Sequence, residues 1–254
     1  MKGLVTLIVQ GPESSIWQRY ANEYLNDFQI VRSGWAAGKN GSLESDEYDN
    51  RIEKITPSLP VKPDSEYLEK TSSFYYALSS FYNGLVASQT DYIIKMRSDE
   101  YFERLDYFAY HSLAFSIDKP TFTNIFAKPF LCRPFHISDH LIFGRRDYFL
   151  SAIKTLLDMY DGRITPQFWC NQNHHLHTFV SYPAESIMAF SLMYAISGKF
   201  ETGTIDMMRA SSIAKYFNLI PISRLGDHSI RAAHVGFHSV NYKSEFGINS
   251  INDF

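Results

Sequence analysis

Residues 3–35 run GLVTLIVQGPESSIWQRYANEYLNDFQIVRSGW and set the architecture of the chain. GLVTLIV at 3–9 is an apolar, β-rich run closed by Gly11-Pro12, a pair that punctuates a strand. Residues 14–26 then place Ile16, Tyr20 and Leu25 at helical spacing, and FQIVRSGW at 28–35 returns to a strand pattern. Strand, helix, strand in this order makes a β-α-β unit, and such units build parallel sheets whose ligands lie at the carboxyl ends of the strands.

The alternation continues downstream. Residues 36–65 are rich in Gly, Ser, Asp, Asn and Pro and read as a long surface connection, placed to close over a ligand at the strand ends. Phe74, Leu78, Phe81, Tyr82 and Leu85 predict a helix over 71–88 that leads into a strand at 92–97. An aromatic strand at 120–126 follows. HISDHLIFGRRDYF at 136–149 reads as strand, glycine turn and helix start, the helix running through Leu156 and Leu157. Further helices are expected at 167–180 and 184–197, and the last forty residues read as irregular and polar. The expected class is α/β, a Rossmann-related mixed sheet flanked by helices. We expect a single domain over 1–254, less regular from about residue 200.

Composition narrows the function. The 254 residues are 45% hydrophobic, enough for a sizeable core. A formal net charge of −3 gives no general electrostatic reason to bind nucleic acid, so no nucleic-acid partner is expected. The 20 Phe and 17 Tyr suit a filled core first and a sugar-stacking cleft second. Cys132 and Cys170 form no metal-binding pair and fit a reducing cytosol. The apolar stretch before Gln10 is too short for a signal sequence, and no run approaches the ~20 apolar residues of a membrane span. The expected location is cytoplasmic, with membrane contact only from the surface.

YIIKMRSDEYFE at 92–103 carries the chemistry. Tyr92, Ile93, Ile94 and Met96 are core residues by pattern, whereas Arg97, Asp99 and Glu100 need partners to stay in a core. The carboxylates are therefore expected where the strand meets water. At a strand end Asp99 suits either a hard divalent cation, which prefers oxygen ligands, or an ion pair with Arg97 or Lys95.

Three stretches, VTLIVQGP, GLVASQTDYIIKMRSDE and HISDHLIFGRRDYF, together resemble the WavE lipopolysaccharide-synthesis family of glycosyltransferases over roughly residues 3–190. The family places a V-Q-G-P-like strand end first, then a G-L-x-x-A helix, a K-x-R-[ST]-D strand end and an S-D-x-x-x-F-G segment. The resemblance implies a GT-A-like fold and transfer of a sugar from a nucleotide-sugar donor to a glycan or lipid-linked glycan acceptor. It puts Asp99 in the place of the acidic sequence that binds metal and nucleotide, with Arg97 beside it and Gln10, Gly11 and Pro12 toward the nucleotide; Arg32 and Trp35 are weaker candidates. Many GT-A enzymes carry Asp-x-Asp where this chain has Arg97-Ser98-Asp99-Glu100, so only Asp99 carries over. The implied cofactor is a divalent cation, Mn or Mg, with basic residues as the alternative. His234 and His238 stand where such enzymes place a late metal-ligating histidine.

Displacement at an anomeric carbon needs stabilisation of the departing diphosphate and, if configuration inverts, a carboxylate to take the acceptor's proton. Asp139 and Glu185 are the candidates for that base, against the plainer roles of turn cap and helix start. HHLH at 174–177 lacks the Glu and Cys companions of a zinc site. A sugar nucleotidyltransferase would carry a glycine-rich basic loop after the first strand, where QGPESSIWQRY stands instead. A non-catalytic carbohydrate-binding module remains the reading from another class.

Overall fold

The computed structural model describes residues 1–11, 14–34, 52–55, 72–115, 117–124, 139–161, 184–198 and 215–229. In chain order the elements are β1 (Val5–Gln10), α1 (Ser15–Tyr24), β2 (Gln29–Ser33), β3 (Ile52–Ile55), α2 (Ser72–Ala87), β4 (Tyr92–Arg97) and β5 (Tyr101–Phe102). They continue with α3 (Leu105–Phe115), β6 (Thr121–Asn124), β7 (Ile142–Arg145), α4 (Arg146–Tyr160), α5 (Ala184–Ser197), β8 (Asn218–Pro221), a 3-10 turn (Ile222–Leu225) and β9 (His228–Ser229).

Seven strands form one sheet in the order β3-β2-β1-β4-β7-β6-β8. β7 runs against both of its neighbours, and the other pairings are parallel. β5 and β9 make a separate two-stranded sheet. The architecture is the expected α/β class, a mixed sheet flanked by helices whose β3-β2-β1-β4 part has the Rossmann-related order.

The pleat explains why the central strands read as unbroken apolar runs. Val5, Leu7 and Val9 of β1 with Ile94 and Met96 of β4 share one core with Trp17 and Tyr24 of α1 and Leu105 and Phe108 of α3. Ile8 and Ile93 face the opposite core, made with Phe81 and Leu85 of α2, Phe149 and Ile153 of α4 and Met188 and Leu192 of α5. A strand covered on both faces needs apolar residues at every position. Much of the Phe and Tyr surplus is spent here, as in the edge-on contact of Phe122 with Phe217 and the tilted contact of Phe81 with Phe149. Among the described residues no helix is long and apolar enough to cross a membrane.

Three expectations need correction. The stretch 36–65 is not one continuous loop, because Ile52–Ile55 adds a parallel edge strand to β2 with Ile52 buried; the remainder of that stretch lies outside the described residues. The glycine of 136–149 makes no turn. Gly144 sits inside β7, where a Cβ would meet the Phe149 ring at 2.8 Å, and α4 starts directly at Arg146. The last forty residues are regular in part, since β8 joins the main sheet beside β6.

One close approach fixes how α2 lies on the sheet. Ser33 Oγ donates to Ser80 O at 2.6 Å, and a Cβ on Gly84 would lie 2.5 Å from Ile8 Cγ2 and 3.4 Å from Ser33 Cβ. Glycine in mid-helix costs about 1 kcal/mol in propensity, yet here it lets helix and strand touch. Gly84→Ala is therefore expected to destabilise the protein by a net ~1–2 kcal/mol despite the propensity gain, because the fully buried Ile8 has little room to yield. A chemical-denaturation midpoint at or above wild type would refute this packing account.

Candidate active site

β1, β2 and β3 are laid down in one direction across the sheet, and β4 returns to the other side of β1. The strand order thus reverses between β1 and β4, and their carboxyl ends open the crevice where doubly wound sheets bind ligands. The two ends are tied together where Ser98 N–H donates to Gln10 O at 2.8 Å, and Gly11 N–H ties the end of β1 to that of β2 by donating to Ser33 O at 3.2 Å. Gly11 has φ +125°, and a Cβ there would stand 2.8 Å from Ser98 Oγ. Only glycine suits both that dihedral and that contact.

Gln10 and Arg32 prove to be committed within the protein. Gln10 is buried and its side-chain amide donates to Ala77 O of α2. Arg32, 2% exposed, donates from Nη1 to Val9 O at 3.1 Å and Ser33 O at 3.0 Å, and from Nη2 to Gly11 O at 2.7 Å. Its guanidinium thereby holds the turn after β1 in place. Pro12 and Trp35 lie outside the described residues.

A charged cluster occupies the carboxyl end of β4, where it meets the start of β7. Arg97 grips Asp99 with two parallel hydrogen bonds, Nε to Oδ1 at 2.9 Å and Nη2 to Oδ2 at 2.8 Å. Both side chains are about a quarter exposed, at 28% and 27%. Partial burial works against the Arg97 charge, but the bonds and charges of Asp99, Glu100 and Asp139 win and raise its pKa above the ordinary arginine value. The ion-pair alternative for Asp99 is thus formed with Arg97. Lys95 is buried and turns to Asp139, donating to its backbone oxygen and, at 3.3 Å, to its Oδ2.

Desolvation pushes the Asp139 carboxyl upward, and the charges of Lys95, His140 and Arg97 overcome it, bringing the pKa down to about 2. Asp139 is therefore a fixed anion through the neutral range. A general base works best with a pKa near the working pH, which suits Asp139 better to anchoring Lys95 than to cycling a proton.

Glu100 departs from its expected place at the water edge. Its side chain is fully buried, Oε1 accepts from His140 Nδ1, and Arg97 Nε lies 3.6 Å away. His140 itself is 3% exposed. Neither residue was singled out by the sequence as a site residue. The available signal was SDH at 138–140, a polar triplet leading into the apolar β7.

Tyr24 of α1 steadies the turn beyond the cluster. Its hydroxyl donates to Phe102 O and accepts from Phe102 N–H, both at 3.1 Å, and burial raises its pKa well above the ordinary tyrosine value. Tyr101 stacks on Tyr20 with ring centroids 3.8 Å apart.

The donor set fits a shared cation better than a caged one. Among the described residues no three His, Cys, Asp or Glu side chains converge to hold a metal. A hard cation that bridges protein and substrate phosphates needs only one or two carboxylates. Asp99 meets that need: it is partly exposed at the strand edge, and a carboxylate oxygen that accepts one bond from Arg97 can accept more than one. Glu185 opens α5, but its side chain, like the whole of His234 and His238, lies outside the described residues.

No protein-family model matches this sequence, and no curated protein does. Among solved structures, the chain is similar to HddC from Yersinia pseudotuberculosis, complexed with GMP-PN, at 12% identity and a TM-score of 0.35, covering 58% of this chain and 79% of that one. It is also similar to a glycosyltransferase involved in the glycosylation of the major capsid of PBCV-1, at 12% identity and a TM-score of 0.36, covering 70% of this chain and 73% of that one. A third is mannose-1-phosphate geranyltransferase from Thermus thermophilus, at 8% identity and a TM-score of 0.41, covering 85% of this chain and 73% of that one.

Proposed function

We propose that the protein is a glycosyltransferase that takes a sugar from a nucleotide-sugar donor and passes it to a glycan or lipid-linked glycan. The observation that carries this reading is the charged cluster at the point where the strand order reverses. There Lys95, Arg97, Asp99 and Asp139 gather beside a glycine turn that brings backbone close to a ligand. The finer assignment, a WavE-like enzyme of lipopolysaccharide synthesis working at the inner face of a membrane, is supported by the three stretches of sequence quoted above.

In this reading the donor's diphosphate lies over the carboxyl ends of β1 and β4. Arg97 offers the diphosphate whatever N–H groups Asp99 does not hold, and Asp99 would hold Mn or Mg. When bound, the cation would supply positive charge against the leaving diphosphate. Asp139 keeps Lys95 pointed at this edge. Glu185 is the proposed base for the acceptor hydroxyl, since Asp139 is held as a strong acid. His234 and His238 are proposed as late ligands. Ser229 pairs with Tyr101, two residues past Asp99, and His234 follows five residues later, a span of at most ~18 Å for extended chain.

Thermal shift with UDP, GDP, ADP, CDP and TDP, each with and without Mn, tests the reading. One nucleotide at a hundred times its Kd is expected to add about 2.7 kcal/mol of stability. Stabilisation by oligosaccharides with no response to any nucleotide would instead favour a carbohydrate-binding module.

A further inference from the structure

We propose that Glu100 and His140 form a buried positioning pair that locks the Arg97–Asp99 end of β4 against the segment entering β7, where Asp139 holds Lys95 of β4, so that both edges meet one diphosphate; this rests on the donor reading above. The two residues are 40 positions apart in the chain and meet only because β7 pairs antiparallel to β4. Each is the immediate neighbour of an acidic residue of the cluster, Glu100 of Asp99 and His140 of Asp139. The link between them is a direct bond between the two segments, shielded from water on both sides. Glu100 Oε1 also lies 3.6 Å from Arg97 Nε, so the same carboxylate senses both edges.

The pair is a poor choice for stability alone. Among the described residues Glu100 Oε2 is buried without a hydrogen-bond partner, and a buried acceptor left unpaired loses its hydration with nothing in return. Replacing both partners of a buried hydrogen bond by apolar groups of similar shape is often neutral in stability. A group kept at such a cost fits a demand for fixed geometry, in which a displacement of about 1 Å can lower a rate ~10²-fold. His140 and Glu100 touch no reacting atom in this account and act through Arg97, Asp99 and Lys95.

The test is calorimetric binding of the stabilising nucleoside diphosphate to wild type, to the double variant Glu100→Leu with His140→Phe, and to His140→Asn, with melting midpoints alongside. The double variant is expected to melt at or above wild type yet bind at least ~10-fold more weakly. His140→Asn places an amide N–H close to the position of Nδ1 and is expected to stay within about threefold of wild type. Wild-type affinity in the double variant would overturn the positioning role while leaving the donor reading intact, and so would a His140→Asn protein as weak as the double variant. Wild type that binds none of the five nucleotides would overturn the donor reading and this pair's role with it. If the double variant does not fold, Glu100→Gln decides: its amide oxygen still accepts from His140, and a loss as large as tenfold would refute the link.

Discussion

Asp99→Asn is expected to lower sugar transfer by at least ~10²-fold while changing stability by less than about 1 kcal/mol. The two halves of that statement have different origins. Asp99 and Arg97 are each about a quarter exposed, so water already screens their attraction, and partly exposed pairs of this kind contribute little to folding. Arg97 also keeps Glu100 at 3.6 Å when Asp99 loses its charge. Transfer is another matter, because the amide neither holds a hard cation well nor sets the guanidinium by two charge-assisted bonds. Charge developing on the departing diphosphate would then meet a weaker and less ordered counter-charge. Transfer rates measured beside a denaturation curve separate the two effects: near-wild-type turnover excludes the role, and a collapse of stability would reassign Asp99 to the fold.

The framework was open to sequence reading where local pattern and burial agree. β4 is apolar from Ile93 to Ile94, interrupted by Lys95 and ended by Arg97, and its limits follow from those residues. α2 and α5 announce themselves through long apolar runs that outlast any strand. α3 escaped because LDYFAYHSLAF is dense in aromatic residues that suit strands as well as helices, and its buried set, Leu105, Phe108, Ala109 and Ser112, shows its period only once the covered face is known. β3 and β8 are four residues each and become strands through pairing with β2 and β6. Such elements are made by partners far away in the chain. The site divides along the same line. Arg97 and Asp99 stand out because charge breaks a buried strand, whereas Glu100 reads as a water-edge carboxylate until the pairing of β7 with β4 brings His140 over it.

Asp139→Asn is expected to cost about 3 kcal/mol of stability at neutral pH. The substitution leaves Lys95 with the backbone oxygen of residue 139 but without a counter-charge, and removing one partner of a buried pair typically costs ~3–5 kcal/mol. Asp139 is 30% exposed, which places the expectation at the lower end of that range. Linkage gives the same scale by another route. The carboxyl falls from its ordinary 3.8 to about 2 on folding, and a shift of that size corresponds to on the order of 2 kcal/mol. A depressed carboxyl pKa stabilises the fold fully above the unfolded value, and the contribution is lost as pH falls through the folded one. The gap between wild type and Asp139→Asn should therefore be constant from about pH 7 to about 5 and close between about 4 and 2. Denaturation curves for both proteins across that range provide the measurement. A gap that instead widened on acidification would mean that Asp139 is carried protonated in the fold, which would restore it as the candidate base and release Lys95 from the role assigned here.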